Sequence, residues 1–460
     1  MLIRFSIENF LSFDARTEFS MLTGKSRIHS QHLIKPKSRN DIGLLKTAII
    51  YGANASGKSN IAKALDFTRR FILRGTSSEN KKIDFQSFRL DKEALKKPSR
   101  IEIEIKHKNK NYAYGFVFNR NIILEEWLYE INKSSEKVVF NREEGKEQKP
   151  IISFDGIRFE NSTEEQFLKF TAAGTRRNQL FLTECRVRNV KANVKNIDDL
   201  LNVIDWFQNS LTIIFPNSKF GGLEFELKEN QDLSVIFHEF LSYFNTGIKG
   251  IELVDVDFDK IKDIPEEIKK DILSDLSEST KAFITSPVEN ITYAITKDKS
   301  DEIKVFKMMT SHDVKGSHKQ EFFEINDESD GSQRIIDFIP VMMDLMKDDN
   351  VFVIDEIDRS LHPNLTCDFV DLFLSKSENI NSQLIVTTHE SSLLNQKIVR
   401  KDEIWFVVKD KFGSSSFYSL EEFKIRFDKE IRKDYLLGRY KAIPVFGSRN
   451  KLSVLKRQNA

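Results

Sequence analysis

Thr47-Ala-Ile-Ile-Tyr51-Gly52-Ala-Asn-Ala-Ser-Gly57-Lys58-Ser59-Asn60 is the stretch on which the reading of the fold turns. Thr47 to Tyr51 is a short apolar run of the kind a parallel sheet buries on both faces, and Gly52 ends it. Beyond it, residues 59–73 place Ile61, Leu65, Ile72 and Leu73 near helical spacing, so the order is strand, glycine-bounded loop, helix. Gly52 to Ser59 fits GxxxxGK[ST] at every fixed position, in the strand-to-helix context that this phosphate-binding loop requires. The glycines let backbone N–H groups turn inward around phosphate oxygens, and the helix N-terminus adds positive partial charge. Lys58 supplies a full charge and the Ser59 hydroxyl a ligand for Mg2+. Gly52, Asn54, Ser56, Gly57, Lys58, Ser59 and Asn60 are therefore the candidate nucleotide-binding residues.

Working outward, Val351-Phe-Val-Ile-Asp355-Glu356 is an apolar strand that ends in two carboxylates. Ligands of open α/β sheets bind beyond the carboxyl ends of the strands, so Asp355 is placed to hold Mg2+ and Glu356 to polarise an attacking water. His389 follows a second apolar strand, Gln383 to Thr387, and falls at the same edge. Between the two nucleotide motifs, Ser329-Asp-Gly-Ser-Gln333 opens a helix whose backbone suits an anion, although Ser329 or Asp330 serves equally well as a plain helix cap.

The rest of the chain bounds the architecture. At 460 residues it exceeds what one hydrophobic core serves, and 40% hydrophobic residues, 38 of them Phe, supply the apolar surface for two lobes or a core with a large insertion. Period-two alternation opens the chain at Leu2 to Glu8 and recurs from Ile101 to about Phe159, as in an antiparallel β lobe. From residue 185 to 290 the pattern reads as a helical insertion, so three parts are expected: 1–184, 185–290 and 291–460. A net charge of +1 names no polyanionic partner, although Arg176, Arg177, Arg186, Arg188, Lys191 and Lys195 form a local basic cluster that suits DNA or RNA phosphates or a solvated helix face. Only Cys185 and Cys367 are present, which argues against a disulfide framework, and His312 and His318 read as loop residues with no cysteine partners at zinc spacing. No stretch approaches the ~20 apolar residues of a membrane span, and a cytoplasmic location is expected.

Taken together, these motifs resemble the ABC-type ATPase heads of the SMC, RecF and overcoming-lysogenization-defect (OLD) group, and most closely the AAA15 family of bacterial ATPases. The likeness is carried by residues 51–60 (YGANASGKSN), 328–334 (ESDGSQR), 351–363 (VFVIDEIDRSLHP), 387–390 (TTHE) and 435–444 (YLLGRYKAIP). It implies an α/β fold: an ABC/SMC-type P-loop ATPase head with an antiparallel β lobe and a helical insertion. It also implies that Ser329 to Gln333, with Gly331 and Ser332, form the signature that completes the ATP site of a second subunit. Asp330 and Ser332 stand where the transporter pattern LSGGQ has Ser and Gly. By the same resemblance Asp358 to Leu361 form the D-loop, His389 senses the γ-phosphate, and Gln86 is one candidate for the Q-loop glutamine. ATP and Mg2+ are the implied ligands, with two heads closing over two ATP in a homodimer or higher homo-oligomer.

The function expected from this resemblance is an ATP-dependent conformational switch in anti-phage abortive infection, controlling a separate nuclease or toxin effector. Only about 70 residues follow His389, too few for the Toprim nuclease that some relatives carry. The alternative is a DNA-repair ATPase of the RecF/SMC type that binds DNA itself. Pro216, Gly221, Gly222 and Pro265 interrupt the insertion, which therefore offers no sustained heptads for a long coiled-coil arm. The long path between the two nucleotide motifs also argues against a transporter subunit.

Overall fold

A computed structural model describes residues 1–38, 41–145, 150–258, 261, 264–276, 281–286, 291–297, 302–423 and 430–444. The elements are β1 (Leu2–Glu8), β2 (Thr17–Ser20), β3 (Leu33–Ile34), β4 (Leu44–Leu45), β5 (Thr47–Gly52), α1 (Lys58–Arg74), β6 (Ser99–His107), β7 (Lys110–Phe118), β8 (Ile123–Ile131), β9 (Glu136–Glu144) and β10 (Pro150–Ser153). There follow α2 (Ser162–Ala173), α3 (Phe181–Val187), α4 (Asp198–Asp205), β11 (Leu211–Ile214), α5 (Leu223–Glu229), α6 (Gln231–Tyr243), β12 (Gly250–Val256), α7 (Glu266–Asp275), β13 (Lys281–Thr285), β14 (Thr292–Lys297), β15 (Ile303–Asp313), β16 (Gln320–Glu324) and α8 (Asp330–Leu345). The chain continues through β17 (Val351–Ile354), α9 (Pro363–Lys376), β18 (Gln383–Thr387), β19 (Ile404–Lys409), β20 (Ser415–Ser419) and α10 (Ile431–Leu436). Two compact units result: Met1–Pro216, Leu345–Arg359 and Thr366–Ala460 make the first, Asn217–Asp344 and Ser360–Leu365 the second.

In the first unit one sheet, ordered β10-β9-β8-β7-β6-β1-β2, is antiparallel at every pairing; it is the β lobe that the alternation predicts. The other, β11-β17-β18-β5-β19-β20, is parallel from β11 to β19 and closes with the antiparallel β20. Strands β5, β17 and β18 are buried at every residue, which is why they read as unbroken apolar runs. Their register aligns the carboxyl ends: Ile214 lies beside Ile354, Ile354 beside Val386, and Thr387 beside Ile50. The loops that follow β5, β17 and β18 therefore leave the sheet at one edge. Five of the phenylalanines form an aromatic cluster: Phe67 of α1 contacts Phe10, Phe71, Phe85 and Phe118 at centroid distances of 5.1 to 6.2 Å.

The β lobe grips the phosphate-loop helix through a buried carboxylate. Glu126 on β8, fully buried, lies opposite Arg142 on β9 with 3.4 Å between charged atoms. It also accepts the Phe181 and Leu182 N–H groups that begin α3, at 2.6 and 3.0 Å, and the Tyr114 hydroxyl at 2.9 Å. Thr183 on α3 then donates to the Ile72 carbonyl in the last turn of α1 at 2.8 Å. Burial raises the Glu126 carboxyl, and Arg142 with these donors opposes the rise.

The second unit holds a sheet ordered β12-β15-β14-β13, with β16 paired to β15. Leu233, Phe237, Leu241, Ile251, Ile336 and Ile339 share its core. Periodicity over 185–290 predicts helices alone. The structure has helices there, but also β11, β12 and β13, and residue 185 lies within α3 rather than between elements. β11 and β13 are only four and five residues long, β12 lacks a clean alternation, and the partner of β12, residues 305–311 of β15, comes some fifty residues later. No local pattern announces such a pairing. His312, expected in a loop, is on β15, where its Nε2 meets Glu328 Oε1 at 2.7 Å.

Glu126→Ala would strip Arg142 of its carboxylate and leave the α3 N–H groups without their acceptor. A loss of about 3–5 kcal/mol in stability is expected, to be read as a lowered midpoint in urea unfolding; an unchanged midpoint would show that the pair carries no net load.

Candidate nucleotide site

The phosphate loop is shaped by two positions with no room for a side chain. A Cβ on Gly52 would lie 2.4 Å from Ser56 Oγ and 2.6 Å from the Val407 carbonyl oxygen of β19. One on Gly57, at φ 109°, would lie 2.4 Å from Ser415 Oγ. Ala55 is also left-handed, at φ 61°, so the loop is a tight concave turn ending where α1 begins. Inside it Lys58 is 5% exposed, and its ammonium donates to the Gly52 carbonyl at 2.9 Å and the Ala53 carbonyl at 3.3 Å. Burial lowers this ammonium to about 8, and Asp355, Glu356 and Asp358 oppose the shift.

The carboxylates are set by the two strands beside β5. Thr387, at the end of β18, donates its hydroxyl to Asp355 Oδ1 at 2.6 Å and accepts the Glu356 N–H at 2.8 Å. One buried hydroxyl thus fixes both acidic residues, and Glu356 takes a left-handed φ of 51°. Asp358 accepts the Thr388 hydroxyl at 2.8 Å and the His389 N–H at 3.2 Å, so the turn after β17 holds the turn after β18. Burial and the Lys58 charge lower the His389 imidazole below its ordinary range.

A cleft of about 690 Å3 opens over these groups. It brings together Asn54, Ser56, Gly57, Lys58, Ser59 and Asn60 with Glu356, Asp358 and His389. Asp355 does not line it; it is 2% exposed and held by Thr387. Ser329, Gly331, Ser332 and Gln333 belong to the second unit and do not line it either. There Ser329 caps α8, accepting the Ser332 N–H at 3.1 Å, while Gln333 donates to the Glu328 carbonyl at 2.9 Å. Gly331 is required by the Ser360 carbonyl oxygen, which would be 2.9 Å from a Cβ. Gln86 is exposed, touches the Leu11 N–H through its carbonyl and is not part of the cleft.

Much of the basic cluster is spent on internal bonds. Arg177 pairs with Glu144 at 2.5 Å, Arg188 with Glu184 at 2.5 Å and Lys195 with Glu160 at 2.9 Å. Arg176 and Arg186 donate to the Thr76 and Leu73 carbonyls at 2.6 and 2.8 Å. Sequence reasoning overlooks Lys409, Ser12 and Ser415, and gives Thr387 and Arg359, which lie in the TTHE and D-loop stretches, no role of their own. Thr387 carries a signal, its place two residues before His389 at a strand's carboxyl end. Ser415 carries no such signal: it follows the glycine-containing Lys411–Ser414 turn and opens β20.

Residues 48–395 match the AAA_21 family, described as "AAA domain, putative AbiEii toxin, Type IV TA system". The chain belongs to this AAA family. No curated protein matches it in sequence. Among solved structures, an SMC head bound to the C-terminal winged-helix domain of ScpA is 12% identical, with 92% of this chain and 99% of that one covered and a TM-score of 0.41. The SMC head domain of Thermotoga maritima is 11% identical (91% and 98% covered, TM-score 0.35). An SMC head with an extended coiled coil, bound to the C-terminal domain of ScpA from Pyrococcus furiosus, is 13% identical (96% and 99% covered, TM-score 0.37). The fold assignment rests on the strand order above: an α/β P-loop ATPase head with an antiparallel β lobe.

The donor set suits this AAA family's nucleotide. The loop is a cradle that a Cβ would fill at either glycine, and Ser56 Oγ is buried in it without a hydrogen-bond partner. Among the described residues no cluster of three or more His, Cys, Asp or Glu could hold a metal by itself. Mg2+ keeps waters and shares phosphate oxygens with one or two protein ligands, and Ser59 and Asp355 are the residues that could hold it here. No described helix is long and apolar enough to cross a membrane.

Because a neutral Lys58 cannot pair with phosphate, nucleotide affinity is expected to hold below pH 7 and to weaken as pH rises through about 8. The apparent dissociation constant should rise by up to roughly tenfold between pH 8 and 9, as checked by titration with a fluorescent ATP analogue. A flat profile over this range would place the ammonium's titration higher.

Proposed function

We propose that the chain is an ATP-driven switch of the cytoplasm. It binds Mg-ATP in the cleft at the ends of β5, β17 and β18, hydrolyses it slowly, and closes head to head with a second copy, as a homodimer or a higher homo-oligomer. The observation that carries the reading is the Thr387 hydroxyl, which sets Asp355 and Glu356 beside a complete phosphate loop. Lys58 and the loop N–H groups hold the phosphates, and Glu356 orients the attacking water and takes its proton. His389, whose charged form desolvation and Lys58 disfavour, offers a hydrogen bond at the γ-phosphate. Mg2+ at Ser59 and Asp355 would neutralise charge on the phosphates. Ser329, Gly331, Ser332 and Gln333 complete the site from a second copy.

The switch controls a separate nuclease or toxin effector in anti-phage defence. The toxin–antitoxin system in the family's description supports a chain that acts with a second protein. The alternative, a repair ATPase that grips DNA itself, loses support because five of its six candidate cations have carboxylate or carbonyl partners.

Lys58→Ala is expected to bind no ATP. Glu356→Gln should bind it, hydrolyse it at least ~100-fold more slowly and elute as a dimer with ATP present. Equal ATPase rates for wild type and Glu356→Gln would remove Glu356 from the reaction. Purification of Glu356→Gln from its host separates the two functional readings: a stoichiometric nuclease-like protein supports effector control, DNA alone supports the repair clamp.

A further inference from the structure

Two serines far from every nucleotide motif in sequence converge on the phosphate loop. Ser415, at the start of β20 and 2% exposed, donates its hydroxyl to the Ser56 carbonyl at 2.6 Å. Its oxygen is 2.8 Å from Ser12 Oγ, and its backbone N–H donates to the Ser12 carbonyl at 2.7 Å. Asn60, in the first turn of α1, donates to Ser12 Oγ at 2.7 Å. A hydroxyl has one proton to give. With that of Ser415 committed to Ser56, the network runs in one order: Asn60 to Ser12, Ser12 to Ser415, Ser415 to the loop.

We infer that Ser12 and Ser415 are positioning residues for nucleotide binding, acting through the peptide bond between Ser56 and Gly57. In a trans peptide the C=O and N–H point in opposite directions. Fixing the Ser56 carbonyl onto Ser415 therefore turns the Gly57 N–H away from Ser415, toward the phosphates. The same contact explains why position 57 is glycine, since a Cβ there would meet Ser415 Oγ at 2.4 Å and Ser12 Oγ at 2.7 Å.

The strain in the turn that presents Ser12 points the same way. Asn9 and Leu11 are left-handed, at φ 49° and 53°, and leucine tolerates this poorly. The turn is held there by the segment between α1 and β6. Leu11 N–H donates to the Gln86 carbonyl at 2.8 Å, and the Asn9 amide donates to the Ala94 and Lys97 carbonyls at 2.7 and 2.9 Å while accepting the Phe88 N–H at 3.1 Å. Strain of this kind persists only where the surroundings over-determine it, and here its product is the placement of one hydroxyl at the phosphate loop.

The inference rests on nucleotide binding at this cleft, and its test separates the two. Full-length wild type, Ser12→Ala, Ser415→Ala and the double variant are titrated with a fluorescent ATP analogue and assayed for ATPase rate at saturating ATP. Each single variant should raise the dissociation constant on the order of tenfold, as for loss of one hydrogen bond that leaves a buried acceptor unpaired. Saturated rates should stay within about twofold, since the serines touch no reacting atom. The double variant should be little weaker than either single one, because the hydroxyls act in series. Ser12 is only half-buried, so Ser12→Ala keeps the comparison available if Ser415→Ala unfolds. Wild-type affinity in Ser12→Ala would overturn the clamp while leaving the nucleotide site intact, and so would additive effects in the double variant. A wild type that binds no nucleotide would overturn both.

Discussion

The close approach of three backbones around Gly52 governs the rest of the molecule. A strand end, a loop and the neighbouring strand β19 meet where the missing Cβ leaves 2.6 Å to a carbonyl oxygen that cannot move. From that point the chain must turn left-handed twice before α1 starts, and the Lys58 ammonium is folded back under the turn. Placing a charge there is costly, and the nearby carboxylates of Asp355, Glu356 and Asp358 offset part of the cost. The carboxylates in turn stand where they do because parallel pairing brings the ends of β17 and β18 level with that of β5.

Division of labour among side chains follows from this arrangement. Residues that face the cleft carry charge or open backbone, whereas residues that fix their angles are small hydroxyls buried behind them. Thr387 serves two carboxylate-bearing residues with one oxygen, and Thr388 ties the following turn to Asp358. A short hydroxyl side chain with few rotamers loses little entropy on being fixed, which suits it to a site whose geometry must survive the arrival and departure of a highly charged ligand.

The sequence makes the nucleotide elements legible because each is local. Val351–Ile354 and Gln383–Thr387 are unbroken apolar runs, and the glycine-bounded loop between strand and helix carries its own chemistry. What stays hidden depends on distance. Ser12 and Ser415 are 403 positions apart, and nothing around either announces that both press on Gly57. β12 is a half-exposed strand whose partner β15 comes some fifty residues later, so a period analysis passes over it. The arginines between 176 and 188 look free in sequence because Glu144 and the Thr76 and Leu73 carbonyls, which occupy three of them, come from remote segments.

The strand order of the parallel sheet also bears on how the chain is made. Strand β5 is flanked by β18 and β19, and the Thr47 hydroxyl bonds a carbonyl 337 residues further on. During synthesis the β meander of residues 99–144 can pair with itself soon after it emerges, since its neighbours are adjacent in sequence. The strand that leads into the phosphate loop has to wait until nearly 410 residues are on hand. Until then its apolar faces lack their partners, which makes a nascent chain stalled short of β18 a natural client for chaperones.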